Sequence, residues 1–407
     1  MILRNPLKEN LKKMYSIDIN KVKALQDIHW KWFWKRAAKS SIEFKHANGG
    51  CLKINYQIFL KLFFGWNEEI VMNILLATKE EMFDLINENG SFYKAYKNSL
   101  KQMIEVNSSG LLSSEEKFWE VEKFVRDLFG YKDFENGSCP LEDGRSLWRK
   151  DKNWKSKRRF WNAYAFTSQM GIDVCPYCGR QYTFTLGDGD GVKNGRPQID
   201  HYIPEAEYPF LSCSLFNFIP SCASCNHQKS DKYNSKKVEW RNIPYPYEDF
   251  DAISKRGGKK LYDDMKFKAF YQFLRNDDGK ITDKLCYGVK LRENGATLTG
   301  ELKNADEAFH LEDLYNMHDL ELEDLFTRYR IYNKSRLKNI LTVIYSAQNT
   351  SITRQFKNMI SSESCRLKKV ILGFPLGNGD RQYPLKKFKE DIVKQLDDTC
   401  KKMKKGL

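Results

Sequence analysis

Apolar positions recur at helical spacing through most of the first third of the chain. Ile58, Phe59, Leu60, Leu62, Phe63, Phe64 and Trp66 form a run apolar enough for a buried helix, although periodicity alone leaves a strand open. Farther on, S-S-E-E-K-F-W-E-V-E-K-F-V-R-D-L-F-G sets Ser113 or Ser114 ahead of Glu116 as a capping-box start. It carries Phe118, Val121, Phe124, Val125 and Leu128 on one face and offers Gly130 as a stop. A short helix is expected from Phe160 to Met170. The period then shortens. Gln181–Thr185 has strand character, residues 186–197 are a Gly-rich turn, Gln198–Tyr202 reads as the returning strand, and Asn226–Tyr233 starts a helix. The expected order there is strand, strand, helix.

Beyond residue 240 Met265, Phe267, Ala269, Tyr271 and Phe273 alternate with polar positions, N-D-D-G-K turns, and Ile281–Leu291 returns, which predicts a hairpin. Leu314, Met317, Leu325, Tyr329, Ile340 and Ile344 predict two helices between Leu311 and Tyr345. Pro384 opens a last amphipathic helix through Leu385, Phe388, Ile392 and Leu396 to a K-K-M-K-K tail. The expected fold class is α+β, in three parts. Residues 1–145 are a helical N-terminal region, 146–245 a basic lead-in with a small α/β unit, and 246–407 an α+β C-terminal region.

At 407 residues each part can bury a core. Lys and Arg number 68 against 53 Asp and Glu, a net +15, which favours a polyanionic partner, nucleic acid before an anionic membrane. The run S-L-W-R-K-D-K-N-W-K-S-K-R-R-F (146–160) concentrates that charge. Arg149, Lys150, Lys155, Lys157, Arg158 and Arg159 are its candidate phosphate contacts, and a solvated helix face is the competing explanation. H-W-K-W-F-W-K-R (29–36) could stack bases, but clustered tryptophans more often form core or interface. The start M-I-L-R-N-P-L-K-E-N has no apolar signal core, and no run approaches the about 20 apolar residues that cross a bilayer. A cytoplasmic protein with no membrane partner is expected, and Cys51, Cys139, Cys213, Cys286, Cys365 and Cys400 are scattered as reduced thiols usually are.

The remaining four cysteines are paired. C-P-Y-C (Cys175, Cys178) and C-A-S-C (Cys222, Cys225) supply four thiolates, the set that closes a tetrahedral structural zinc site. Between and beside the knuckles lie residues that zinc does not need: Asp200 and His201, Asn217, and Asn226 with His227. Phosphodiester hydrolysis near neutral pH needs a base to activate water and a cation to hold developing charge. A neutral histidine suits the first role, and oxygen ligands to Mg²⁺ or Mn²⁺ supply the second. His201 is the candidate base, Asp200 and Asn226 the candidate oxygen ligands, and Asn217 the orienter of the loop that presents His201. Neighbours on a strand point to opposite faces, so Asp200 and His201 can share a site only if the strand ends or bends there. Pro204 fits such a break.

Taken together, D-H-x-x-P, N-x-x-P and C-x-x-C-N-x-x-K between two knuckles resemble the HNH nuclease family, over residues 175–232. The resemblance implies a zinc-braced ββα-metal core inserted between the flanking regions, and cleavage of DNA that leaves a 5′-phosphate. It implies His201 as general base, Asp200 and Asn226 as catalytic-metal ligands, and Lys229, with Lys232 nearby, as candidate phosphate contacts. Many family members end in His where this chain has Asn226, so His227 stands as an alternative ligand. More broadly, the layout resembles the HNH effectors of Septu-type antiphage systems, which implies a separate ATPase subunit, since this chain has no P-loop. Two other readings stay open: a non-catalytic zinc module that binds nucleic acid or protein, and an RNA-cleaving HNH nuclease.

Overall fold

The computed structural model describes residues 17–45, 51–106, 123–136, 161–186, 195–229, 240–248, 261–332, 336, 339, 343, 368–374 and 383–405. Outside them lie the basic run 146–160 with its six candidate contacts, Lys232, the capping-box residues Ser113, Ser114 and Glu116, and Ile340 and Ile344. The chain is mixed helix and small sheets, as its pattern predicts. Strand β1 (Ile17–Asp18) leads into α1 (Ile19–Lys23) and α2 (Gln26–Lys39). A hairpin of β2 (Ser41–Lys45) and β3 (Cys51–Asn55) precedes α3 (Tyr56–Phe64), α4 (Glu68–Leu76), α5 (Lys79–Leu85) and α6 (Ser91–Val106). After α7 (Tyr131–Asn136) and α8 (Ala163–Met170) come β4 (Gln198–His201), β5 (Phe218–Ser221) and α9 (Ala223–Lys229). The C-terminal part holds β6 (Tyr247–Glu248), β7 (Met265–Arg275), β8 (Ile281–Glu293), α10 (Gly300–Phe309), α11 (Leu311–Asn316), α12 (Asp319–Ile331) and α13 (Lys386–Lys405).

Local chemistry sets many of these boundaries. The Asn55, Asn67 and Asn162 side chains accept from Ile58, Ile70 and Ala165 N–H and start α3, α4 and α8. Gly65 and Gly171 close α3 and α8 in the left-handed conformation. The apolar run from Ile58 is therefore a helix, with Phe59, Leu60 and Phe64 inward. Most of the tryptophan-rich segment packs into the core: Trp32, Phe33 and Arg36 are buried, while the partly exposed Trp30 and Trp34 stack on each other.

The Arg36 guanidinium crosses from α2 to α7 and the chain just before it. It donates to Asp133 at 2.6 Å and to the carbonyls of Leu128 and Asp127 at 2.7 and 2.8 Å. Gly130 lies directly against it, at a φ of +75°, so a Cβ there would come within 2.1 Å of Arg36 Cζ.

One contiguous hydrophobic cluster runs from Ile17 to Ile392 through all three regions. The β7–β8 ribbon joins it at its base, and there side chains bond to both open edges. On the β7 edge Asp391 accepts from Phe267 N–H, and Gln395 both accepts from and donates to Ala269. On the β8 edge Asn316 does the same for Val289, and Glu312 accepts from Leu291 N–H. These groups stand in for missing strands along part of each edge where the ribbon meets the core.

One expectation fails. Gln181–Thr185 does not pair with β4; the partner is β5, in the register Asp200↔Ile219 and His201↔Phe218. The backbone of the 181–185 segment is used closer to home. Gln181 O accepts from Cys175 N–H and Thr183 N–H donates to Asp173 O, closing a turn around the first knuckle.

Gly130→Ala combines a left-handed backbone with a collision against a buried guanidinium. Urea unfolding is expected to show a loss of at least about 2 kcal/mol.

Candidate functional site: a four-sulfur centre beside a His–Asp–Asn cleft

The sulfur atoms of Cys175, Cys178, Cys222 and Cys225 all lie within 4.8 Å of one another, and all four residues are buried. Cys178 and Cys222 Sγ are 3.9 Å apart. Four sulfurs at about 2.3 Å from one zinc would be separated by roughly 3.8 Å, so the set fits a tetrahedral metal ion. Gly179, at a φ of 61°, turns the first knuckle. The turn lets Arg180 N–H donate to Cys178 Sγ at 3.4 Å. The second pair straddles the start of α9. Burial pushes the Cys175 thiol up, whereas hydrogen bonds from the other three hold Cys222 well below the usual thiol range. Cys213 is buried elsewhere, as core.

The C-terminal region buttresses the knuckle. Tyr315 Oη donates to Cys178 O at 2.7 Å, Leu385 N–H donates to Gly179 O at 3.0 Å, and Tyr177 stacks on Phe309 at 4.5 Å.

Strand β4 ends at His201, and that ending lets neighbours share a site. A cleft of about 350 Å³ is lined by Asp200, His201, Asn226, Gln198, Glu205 and Tyr131, among others. His201 Nε2 lies 2.8 Å from Ser212 O. A carbonyl only accepts, so Nε2 carries the proton and Nδ1 is left as the basic nitrogen. The Tyr131 ring meets the imidazole edge-on at 4.5 Å, and a Glu205 carboxylate oxygen lies 3.6 Å from Nε2. Asn217 is fully buried. Its Oδ1 accepts from Ile203 N–H at 2.6 Å, and its Nδ2 donates to Ile203 O and Leu211 O. It therefore ties both ends of the loop that carries His201 to Ser212, the geometry expected of an orienter.

Asp200 is buried against two donors. Tyr177 Oη donates to Oδ2 at 2.5 Å, and the Lys229 ammonium is 3.0 Å from Oδ1 and 2.9 Å from Oδ2. Burial, with the Asp200 charge, pushes the Tyr177 phenol up and keeps it a donor. Lys229 also donates to His201 O at 2.6 Å, and its side chain is only 2% exposed. Lys229, the expected phosphate contact, therefore lines the cleft with its ammonium already paired to Asp200 and to the His201 carbonyl. Asn226 faces the cleft and donates to Gln198 at 2.7 Å, while His227 is exposed and is not among the cleft-lining residues. A hard divalent cation needs one or two protein oxygens, and Asp200 and Asn226 supply that donor type on one cleft. One hydrogen bond to each oxygen of Asp200 fills about two of the roughly four lone-pair positions of a carboxylate. Among the described residues no other group of three His, Cys, Asp or Glu side chains approaches ligand geometry.

Four groups at the site carry little sequence signal. Tyr177 is hidden inside the knuckle, Tyr131 merely follows a helix stop, and Ser212 acts through its backbone. Glu205, four residues after His201, had a spacing that could have marked it.

Two outcomes follow. Cys222→Ser is expected to lose bound zinc, measured by elemental analysis, and much of the local fold, measured by circular dichroism. His29, buried against this loop, has its pKa lowered to about 4 by burial. The unfolded chain protonates it near 6.5, so native stability falls as pH drops through that window and is unaffected above it. From pH 7 to pH 5 the wild type is expected to lose about 2 kcal/mol more than His29→Gln in urea unfolding.

Comparison of the chain with protein-family models, curated proteins and solved structures finds no match.

Proposed function

We propose that the protein is a metal-dependent endonuclease that hydrolyses phosphodiester bonds in DNA, with the His201 cleft as its active site. The observation that carries the reading is the His201 tautomer: Nε2–H is committed to Ser212 O, and Nδ1 remains to accept a proton beside Asp200 and Asn226. A strand–strand–helix unit with a four-sulfur centre at the helix start supports it further, because this is the order that the HNH resemblance implies.

In the proposed reaction His201 Nδ1 takes a proton from water as the oxygen attacks phosphorus. The P–O bond opposite the attack breaks and the leaving 3′-oxygen takes up a proton from solvent, giving a 5′-phosphate. Asn217 holds the loop that aims the imidazole. Asp200 and Asn226 would hold Mg²⁺ or Mn²⁺, which supplies charge stabilisation at the phosphate. Lys229 and Tyr177 fix the Asp200 carboxylate and take no part in proton transfer. The net charge of +15 favours a polyanionic substrate. A role in antiphage defence beside a separate ATPase rests on resemblance of layout alone.

One observation favours a second reading. The enclosed Lys229–Asp200–Tyr177 set would serve equally well in a non-catalytic zinc module, where the carboxylate only braces the fold. Cleavage separates the two. Purified protein is expected to nick supercoiled plasmid with Mg²⁺ or Mn²⁺ and not with EDTA, and His201→Ala should lose at least about 10²-fold in rate while circular dichroism stays unchanged. Wild-type rates in His201→Ala would sink the assignment, and so would inactivity in the presence of a co-purifying ATPase. A single-stranded RNA substrate in the same assay tests the RNA alternative.

A further inference from the structure

The turn that receives the His201 proton is gripped at four consecutive residues. Leu211 O accepts from Asn217 at 3.1 Å, Ser212 O from His201 at 2.8 Å, and Cys213 O from His29 at 2.8 Å. Ser214 Oγ donates to Ile74 O at 2.9 Å. Two of these grips come from the N-terminal helices, His29 from α2 and Ile74 from α4. The state of His29 is fixed by its other neighbour: the Trp161 indole, a donor only, gives its N–H to Nδ1 at 3.1 Å. Nε2 therefore carries the proton and must donate to Cys213 O.

We propose that His29 is a positioning residue for His201, so that the N-terminal helical region is part of the active site. This rests on the reading of His201 as general base. The two imidazoles hydrogen-bond to adjacent carbonyls, so the peptide planes they fix meet at one Cα, that of Cys213. They also meet the same ring: His29 and His201 lie T-shaped to Phe218, at 6.0 and 5.6 Å, and Phe218 is the residue paired with His201 across the sheet. Without the His29 donor three grips remain, so the turn persists. What is lost is the constraint on the Cys213 peptide plane, and through it the aim of Ser212 O and of the imidazole.

The test uses full-length His29→Leu, which keeps apolar volume and removes the donor, beside His29→Gln, whose amide N–H can still reach Cys213 O. The readouts are zinc content, the ¹⁵N signals of the His201 ring, and kcat and KM on supercoiled plasmid. His29→Leu is expected to keep its zinc, lose the clean Nε2–H signature at His201, and lose about 10- to 100-fold in kcat at unchanged KM. His29→Gln should restore the signature and most of kcat. A His29→Leu protein with wild-type ring signals and kcat overturns the proposal, and so does a His29→Gln protein as impaired as the Leu variant, since packing alone would then be the role. If His29→Leu does not fold, Trp161→Phe, which removes the donor that fixes the His29 tautomer, carries the same comparison. The ring signals need no cleavage: a shifted His201 tautomer in a protein whose wild type cuts nothing keeps the positioning and overturns the nuclease.

Discussion

A charge taken out of water has to find its partners inside the protein, and the Asp200 carboxylate is the charge around which the cleft is assembled. The carboxylate and its partners come from three separate segments. Tyr177 belongs to the first cysteine knuckle, Asp200 to β4 and Lys229 to the last turn of α9. Any arrangement that left the carboxylate or the ammonium buried alone would cost about 3–5 kcal/mol, so the three segments are held in one relative placement. The four sulfurs do the same from the other end of α9, since Cys222 and Cys225 fix its start while Lys229 fixes its finish. The helix is pinned at both ends, and Asn226 between them is presented to the cleft.

The sequence is legible where chemistry is concentrated in short spacing. The paired C-x-x-C motifs announce four sulfurs around one point, and Asn217 reads as an orienter because a buried amide between two loop ends can tie both. The amphipathic α13 shows its buried face directly, whereas the alternation of β7 holds only at its base, where Met265, Phe267 and Ala269 are buried and Tyr271 and Phe273 farther along the same face are exposed. Other parts are not legible, for physical reasons. Strand β5 contains Pro220, which has no N–H and argues against a strand; here it is tolerated because the two-stranded sheet leaves one edge of β5 unpaired. The 181–185 segment has the composition of a strand, but its hydrogen bonds go to the knuckle turn. Lys229 sits where a phosphate contact is expected by motif, and nothing in its neighbours along the chain reveals that a carboxylate 29 residues away claims it.

The flanking regions look expendable by sequence, since none of the paired-cysteine or His–Asp–Asn residues falls in them, yet each holds one side of the site. The C-terminal region grips the knuckle backbone through Tyr315 and Leu385 at Cys178 and Gly179. The N-terminal helices grip the opposite turn at Cys213 and Ser214. Backbone carbonyls are the points of attachment in nearly every case, and that explains why composition and spacing do not disclose them: the recognised residue can be almost anything. A strand–strand–helix unit of this size buries too little apolar surface to hold a histidine to a fraction of an ångström by itself. The large flanks supply the rest, and the single core running through all three regions follows from that division of labour.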